Sequence, residues 1–407
     1  MLEMCEGMSV SRFGGEIMKD RYDIIVVGGG PAGSTAARVA AENGASVLLL
    51  EKDREIGVPV RCAEAVGEKG IKKVVELRDE WIANKIEAIR LVAPNGSVVK
   101  VSHEDVGFVL DRKKFDYDLA EMAAIAGAEV VTKAYVYDLL KENGYIAGVR
   151  VKHLGEDFEI RAKVVLGADG VESRVGRWAG LKTSLNLKDI ETCAQMTVTN
   201  LNIERQYCDF YFTDKGAPGG YLWVFPKNEN TANIGLGISG NNGFKKTSLE
   251  YLKDFINEKF PEASVLTTVA GGVPCAPYME KMVTNGLMLV GDAAHQANPI
   301  SGGGIVLGML AAKIAGRVAA EAVKANDVSE NKLSEYQKEW DKVGGTGHRR
   351  AYRLKEAIYK FSDEDFDNIA ESISKKPKEK HTIVNIFKTA LIKHPKLIPD
   401  MLKVFMG

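Results

Sequence analysis

The stretch Tyr22 to Val27 runs straight into Gly28-Gly29-Gly30-Pro31-Ala32-Gly33, and no other feature restricts the fold of these 407 residues as strongly. The run is continuously apolar, as suits a strand covered on both faces in a parallel sheet. Gly28 permits a tight turn, Gly30 lets a pyrophosphate approach the backbone, and Gly33 lets the next helix pack on the strand. That helix, Ser34 to Glu42, closes at Asn43-Gly44. A second apolar strand, Ser46 to Leu50, then ends in Glu51, 18 residues beyond the last glycine. A helix N-terminus facing phosphate, with Glu51 placed for ribose hydroxyls, makes a dinucleotide site. The spacing does not by itself separate FAD from NAD.

The choice between them comes from further along. Gly291-Asp292 ends another apolar strand, and Pro299-Ile300-Ser301-Gly302-Gly303-Gly304 opens a long small-residue helix that continues to about Ala325. A carboxylate there can hold a ribityl chain, and the N–H groups of Gly303 and Gly304 can face the N1–C2=O edge of a flavin. Reduction places negative charge on that edge, so a helix N-terminus favours the reduced form. Ala168-Asp169-Gly170, after the buried strand Lys163 to Gly167, is a third turn of the same kind; alone it reads equally well as a structural turn. No second Gly-x-Gly-x-x-Gly sits in a strand–helix context, so no dedicated nicotinamide domain is expected.

Composition excludes several classes. A formal net charge of -1 argues against a nucleic-acid binder. Five scattered cysteines, Cys5, Cys62, Cys193, Cys208 and Cys275, lack metal-ligand spacing and fit a reducing cytoplasm; no metal is expected. No apolar run reaches the length of a spanning helix. Met18 directly precedes the first strand, so residues 1–17 are expected to be a disordered or extra N-terminal extension.

The rest of the chain divides by pattern. A helix is expected at about 64–77, mixed strands over 85–110, a helix from Asp111 to Ala126, a strand Glu129 to Val131 and a hairpin around Gly144. From about 190 to 275 the pattern turns alternating and antiparallel. The expected class is α/β, α+β overall: a Rossmann-like FAD-binding domain of the glutathione-reductase type, with an inserted antiparallel-sheet substrate domain and a C-terminal helical region. The boundaries are 18–85, 105–185 and 275–330 for the FAD domain, 86–104 and 186–274 for the substrate domain, and 331–407 for the helical region.

Two stretches narrow the chemistry. Alternation places Tyr221, Trp223 and Phe225 on one face of a strand, and Ala232-Asn233-Ile234-Gly235-Leu236-Gly237 supplies its glycine-bearing neighbour. That face either walls an apolar tunnel or is an ordinary sheet core. Pro59-Val60-Arg61-Cys62-Ala63-Glu64 lies on the loop after the second strand, where Cys62 is either an active-site group or a small buried apolar residue.

With these residues in view, the chain resembles the geranylgeranyl reductase family, and within it the archaeal digeranylgeranylglycerophospholipid reductases. The pattern Pro-x-x-Tyr-x-Trp-x-Phe-Pro at 218–226, Arg61-Cys62, the run from Gly107 to Arg112, Gly291-Asp292 and Gly302 to Gly304 carry the resemblance, which extends from about Asp20 to the C-terminal helices. It implies saturation of C=C bonds in the geranylgeranyl chains of a prenylated glycerophospholipid or geranylgeranyl diphosphate. It further implies FAD contacts at Gly33, Glu51, Cys62, Ala63, Ala65, Arg112, Val136, Asp292, Gly304 and Ile305. One departure is visible: alanines, Ala63 and Ala65, flank the acid where the family commonly has glycine.

An isolated alkene has no carbonyl to polarise it, so hydride from flavin N5 and a proton must arrive in one aligned, water-poor site. Cys62 is the leading proton donor and Tyr221 the second. His295 is read as a helix-start residue near the pyrophosphate rather than an acid. An external electron donor is required, with NADPH, ferredoxin and others open. From Lys375 onward, eight lysines alternate with apolar residues such as Ile383, Phe387 and Leu402, which suits peripheral docking on the inner face of the cell membrane or packing on the protein itself. A flavin monooxygenase and a non-redox polyprenoid cyclase or isomerase are the alternatives.

Overall fold

The computed structural model describes residues 10–13, 16–101, 107–243, 245–377, 381, 385, 386, 389 and 390. Its central strand is Arg21–Val27, fully inside an eight-stranded sheet. Val47–Leu50 lies parallel on one side, with Glu129–Val131 beyond it. On the other side lies the C-terminal half of Glu156–Gly167, also parallel. The far edge of that long strand is shared: Tyr145–His153 pairs with its first half, antiparallel, and Leu287–Leu289 with its end, parallel. Ile24, Ile25, Val26, Leu48, Leu49, Val164, Val165 and Leu166 have no exposed surface, which explains their unbroken apolar sequence.

Two helices lock this sheet. Pro31–Glu42 starts with proline in its first turn, after a Gly30 with extended backbone. Ile305–Lys324 crosses it so closely that a Cβ on Gly316 would lie 2.6 Å from the Ala36 carbonyl oxygen. The crossing also sets Gly308 against Gly291 and Ala32, so the turn at Asp292 stands beside the first helix's N-terminus.

A second sheet of seven strands follows the order Ser264–Pro274, Ile190–Thr199, Ala232–Ser239, Tyr221–Pro226, Tyr207–Tyr211, Ala88–Val92 and Val98–Val101. Its pairings are antiparallel except where Ala88–Val92 runs parallel to Tyr207–Tyr211. The helix Ser248–Lys259, started by a Thr247–Glu250 capping box, covers one face through Leu252 and Ile256. The opposite face carries the aromatic residues.

The helix expected at about 64–77 is not formed. Ala65–Gly67 is a strand paired with Gly107–Leu110, and only Glu68–Ile71 is helical. Gly67 and Gly70 weaken helix in this stretch, and the Leu110 N–H captures the Glu64 carbonyl, drawing the backbone into a small sheet with Ile82–Ile86. Within the N-terminal stretch read as an extension, Val10–Phe13 and Glu16–Lys19 pair as a separate two-stranded hairpin; residues 1–9, 14 and 15 lie outside the described residues. Glu330–Trp340, Thr346–Ile358 and Asp363–Ser374 are helices, while most of the lysine-rich stretch after residue 377 lies outside the described residues.

At Gly33 a Cβ would fall 1.9 Å from the Gly28 carbonyl oxygen. The Gly33→Ala variant should therefore lose about 1–3 kcal/mol of stability, read as a lower midpoint in urea unfolding. An unchanged midpoint would show that the helix can lift off the strand freely.

Candidate active site

Each glycine of the first turn has a measurable reason. Gly28 sits at φ +107° with its Cα against the chain: a Cβ would meet the Ala168 carbonyl oxygen at 2.4 Å. Gly30 faces open space, with no atom within 4 Å of where its Cβ would be. The Gly29 N–H donates to Glu51 Oε2 at 2.7 Å, and the Asp53 N–H donates to Oε1 at 2.9 Å, so the acid is fixed at the mouth of that space. The Ala134 N–H holds the Glu51 carbonyl, which brings up the strand Ala134–Glu142 with Val136 buried in it. Asp169 adjoins the same turn. Its Oδ2 accepts the Val175 N–H, whereas Oδ1 is buried without a partner, and burial raises its pKa. An open phosphate-sized approach, a fixed ribose acid and an orphaned carboxylate oxygen fit a bound dinucleotide.

The second helix start builds the other end. Gly302 takes φ +64°, and a Cβ on Gly304 would lie 2.9 Å from Asp292 Oδ1, so the carboxylate rests against the turn that opens Ile305–Lys324. Burial pushes the Asp292 carboxyl up to about 6, opposed by the nearby Arg112 guanidinium. Arg112 itself is clamped to Asp116 by two bonds of 2.6 Å. His295 ends the short turn after Asp292 at φ +56°; its Nε2 lies 3.2 Å from the Thr183 carbonyl oxygen, and burial lowers its pKa. It is a buried neutral ring in a structural turn.

The seven-stranded sheet turns its aromatic face toward this turn. The Tyr221 hydroxyl donates to the Ser301 carbonyl at 2.6 Å. Trp223 and Phe225 are buried with Ile86, Val109 and Cys208, and Ala63, Cys193, Phe210 and Tyr221 pack on them. The neighbouring strand offers two bare positions: a Cβ on Gly235 would strike the Trp223 ring at 2.5 Å, and one on Gly237 would sit 3.1 Å from Cys193 Sγ. The Trp223 indole and Cys193 Sγ thus occupy the room that side chains on this strand, between the aromatic strand and Ile190–Thr199, would take.

The loop bearing Arg61, Cys62 and Ala63 packs on this face. Gln195 Nε2 donates to the Cys62 carbonyl at 2.8 Å, and Gln195 Oε1 accepts from Trp223 Nε1 at 3.1 Å. The Glu64 N–H donates to Cys62 Sγ at 3.2 Å, and burial pushes the thiol's pKa up. Glu64 is the anchor. Its Oε2 takes Lys227 Nζ at 2.6 Å together with the Asn233 amide, and its Oε1 takes the Arg112 N–H at 3.0 Å. The loop's positive φ, +73°, falls on Glu64 itself, so neither Ala63 nor Ala65 needs glycine's freedom. Glu64, Lys227, Asn233 and Gln195 went unread as site residues in the sequence. Only a polar residue alternating with Cys193 on an inward strand face gave a signal, at Gln195.

The fold and the two helix-start turns define the class: an FAD-dependent oxidoreductase with one split dinucleotide site. Comparison with known proteins agrees. The pyridine nucleotide-disulphide oxidoreductase profile matches residues 22–206, and the geranylgeranyl reductase catalytic domain matches residues 189–273. Digeranylgeranylglycerophospholipid reductase of Methanocella arvoryzae is 47% identical over 388 residues, covering 94% of this chain and 99% of the relative. That of Methanosarcina acetivorans is 47% identical over 395 residues, covering 95% and 97%. Among solved structures, a geranylgeranyl bacteriochlorophyll reductase-like protein from Thermoplasma acidophilum superposes with a TM-score of 0.89 at 36% identity, covering 94% of this chain and 99% of that one. A flavin-dependent brominase, at 17% identity and a TM-score of 0.68, shares the fold alone. The chain belongs to the geranylgeranyl reductase family.

Two outcomes test this geometry. Glu64→Ala leaves Lys227, Asn233 and the Arg112 N–H without their acceptor and should cost about 2–4 kcal/mol in chemical denaturation; a loss within error of zero would mean the loop is held otherwise. Asp292 has a folded pKa of about 6, above the roughly 3.9 of an unfolded aspartate. Its contribution to apoprotein stability is therefore complete below about pH 4 and lost as pH rises to about 6. Asp292→Asn should gain on the wild type over that interval, in thermal melts taken across pH.

Proposed function

We propose that this protein saturates C=C bonds in the geranylgeranyl chains of archaeal membrane lipid precursors, with Cys62 giving the proton at each bond. The reading rests most on one observation. The Tyr221–Pro226 strand and the Arg61–Ala63 loop share a single apolar cluster, joined through Tyr221 and Ser301 to the turn at Asp292 and Gly304.

We take Gly28, Gly30, Gly33, Glu51 and Val136 to hold the nucleotide half of FAD. Asp292, Gly303, Gly304, Ile305, Arg112 and the backbone of Arg61, Cys62, Ala63 and Ala65 would hold the flavin half. Reduced FAD, when bound, supplies a hydride. Tyr221, Trp223 and Phe225 align the prenyl chain and keep water from it, and low polarity strengthens whatever charge develops as the alkene takes its proton. The Cys62 thiol suits that donation because burial keeps it protonated near neutral pH. Its sulfur is already occupied as acceptor by the Glu64 N–H, so its own hydrogen points elsewhere. Tyr221, its hydroxyl engaged with the Ser301 carbonyl, is the second candidate for moving that proton.

We assign residues 18–85, 105–185 and 275–330 to the FAD lobe and 86–104 with 186–274 to the substrate lobe. The substrate is a prenylated glycerophospholipid or geranylgeranyl diphosphate, and an external donor such as NADPH or ferredoxin returns the electrons. No helix among the described residues is long and apolar enough to cross a membrane. The lysine-rich C-terminal stretch is proposed as a peripheral contact with anionic lipid at the inner membrane face.

Anaerobic incubation of the yellow protein with unsaturated prenyl lipid and dithionite should add two hydrogens per double bond, read by mass spectrometry; an unchanged product mass would mark a cyclase. Cys62→Ser should keep its FAD absorbance and slow turnover by about 100-fold. Normal turnover in that variant would remove the role given to Cys62.

A further inference from the structure

Glu191 belongs to no part of the site described so far. It alternates along Ile190–Thr199 with Cys193, which faces Gly237, and Gln195, which holds the Cys62 carbonyl, so it stands on the same wall one row further out. It is 5% exposed, and its two oxygens are treated differently. Oε1 accepts from the Tyr359 hydroxyl and lies 3.2 Å from Lys355 Nζ. Oε2 is buried with no partner, 3.4 Å from where a Cβ of Gly220, the residue before Tyr221, would be.

Lys355, 2% exposed, is itself locked by the carbonyls of Cys275 and Lys188 at 2.8 and 3.1 Å. A carboxylate oxygen in an apolar wall without a donor is costly unless it carries a proton or meets a visiting group. An ammonium fixed beside the other oxygen makes the deprotonated state tolerable in turn. The pair therefore suits a group that must gain and lose a proton repeatedly. Burial raises the Glu191 pKa, opposed by Lys355. The titratable and charged groups facing it are Lys355, Tyr359, Asp189, Cys193, Cys275 and Tyr221.

The two ends of a route are also present. Tyr221 follows Gly220, which Glu191 Oε2 faces, and packs on the same cluster as Ala63, the neighbour of Cys62. On the outer side, Tyr359 lines a cleft with Thr213, Asp214, Gly219, Gly220 and Phe366, and the Asp214 end is exposed. The chemistry consumes one proton per double bond inside a chamber built to exclude water, so the donor needs a supply that does not admit bulk solvent.

Resting on the reductase reading above, we propose that Glu191, with Lys355 and Tyr359, is the proton-supply station of the chamber. It takes a proton from the cleft by way of Tyr359 and passes one by way of Tyr221 to the Cys62 thiolate after each reduction. No electrons move in this step. Cys62 loses its proton to carbon and regains one, Glu191 gives one up and is refilled from solvent, and one solvent proton enters per bond saturated. Glu191 and Tyr359 are positioning residues, since neither touches the reacting carbons.

The test uses dithionite-reduced, FAD-loaded full-length enzyme given unsaturated digeranylgeranylglycerophospholipid under multiple-turnover conditions, over a series of pH values. E191Q should fold, keep its flavin spectrum, slow steady turnover by about tenfold or more and lose the wild type's fall in rate at high pH. Y359F, which keeps both Glu191 and Lys355, should slow in the same direction, and it decides the matter if E191Q fails to fold. A wild-type rate in either folded variant, or a slow E191Q with the wild-type pH profile, overturns the proposal. Infrared spectra of the substrate-free oxidised proteins give a second readout: a protonated-carboxyl stretch present in wild type and missing in E191Q supports the station, and identical spectra overturn it. Wild-type enzyme that fails to reduce any prenyl lipid would instead defeat the reductase reading, and the infrared comparison would still judge Glu191.

Discussion

Glu64 is a carboxylate almost without water, and three separate parts of the chain converge on it. Lys227 reaches it from the turn after the aromatic strand, Asn233 from the glycine-bearing strand, and the Arg112 N–H from the start of a helix in the nucleotide half. A buried charge tolerates little freedom in its partners, because each lost donor leaves an uncompensated oxygen. The loop carrying Cys62 is thereby held against the aromatic face. Without that anchor the loop would be left with the Gln195 bond to the Cys62 carbonyl and the Leu110 bond to the Glu64 carbonyl.

The aromatic face is made by subtraction as much as by contact. Gly235 and Gly237 remove side chains where the Trp223 ring and Cys193 need room, and Gly30 leaves open space at the start of the first helix. Aromatic side chains then stiffen the walls: Phe210 lies 5.5 Å from Tyr221 and 5.1 Å from Phe225 between ring centres. Rigid apolar walls suit a substrate that offers nothing to hydrogen-bond, since alignment must come from shape alone. Burial raises the pKa of each of Cys62, Asp292 and Glu191.

The sequence reads well wherever local spacing and backbone chemistry act together. Gly28 and Gly33 announce themselves because a tight turn and a helix–strand contact tolerate no other residue there. The alternation of Tyr221, Trp223 and Phe225 predicts one shared face in the same way. Reading fails where the determining contact is distant. The stretch after Glu64 resembles a helix until Gly107–Leu110 captures it, and Gln195 looks like any polar strand residue until Cys62 and Trp223 meet it from either side. Glu64 itself hides behind an unremarkable acid, since nothing local indicates that Lys227, more than 160 positions away, will neutralise it.

The shared edge of Glu156–Gly167 has a consequence for synthesis. Val164, Val165 and Leu166 emerge from the ribosome long before Leu287–Leu289, the strand that covers their end of that edge, with five strands of the seven-stranded sheet made in between. A nascent chain therefore carries an unfinished, fully apolar strand end while the insert forms, exposed to pairing with a neighbouring polypeptide. Asp292 and the Gly302–Gly304 turn follow on the same late segment. That turn is thus made only after the five strands, and a chain truncated within them would hold neither a finished sheet nor the turn at Asp292.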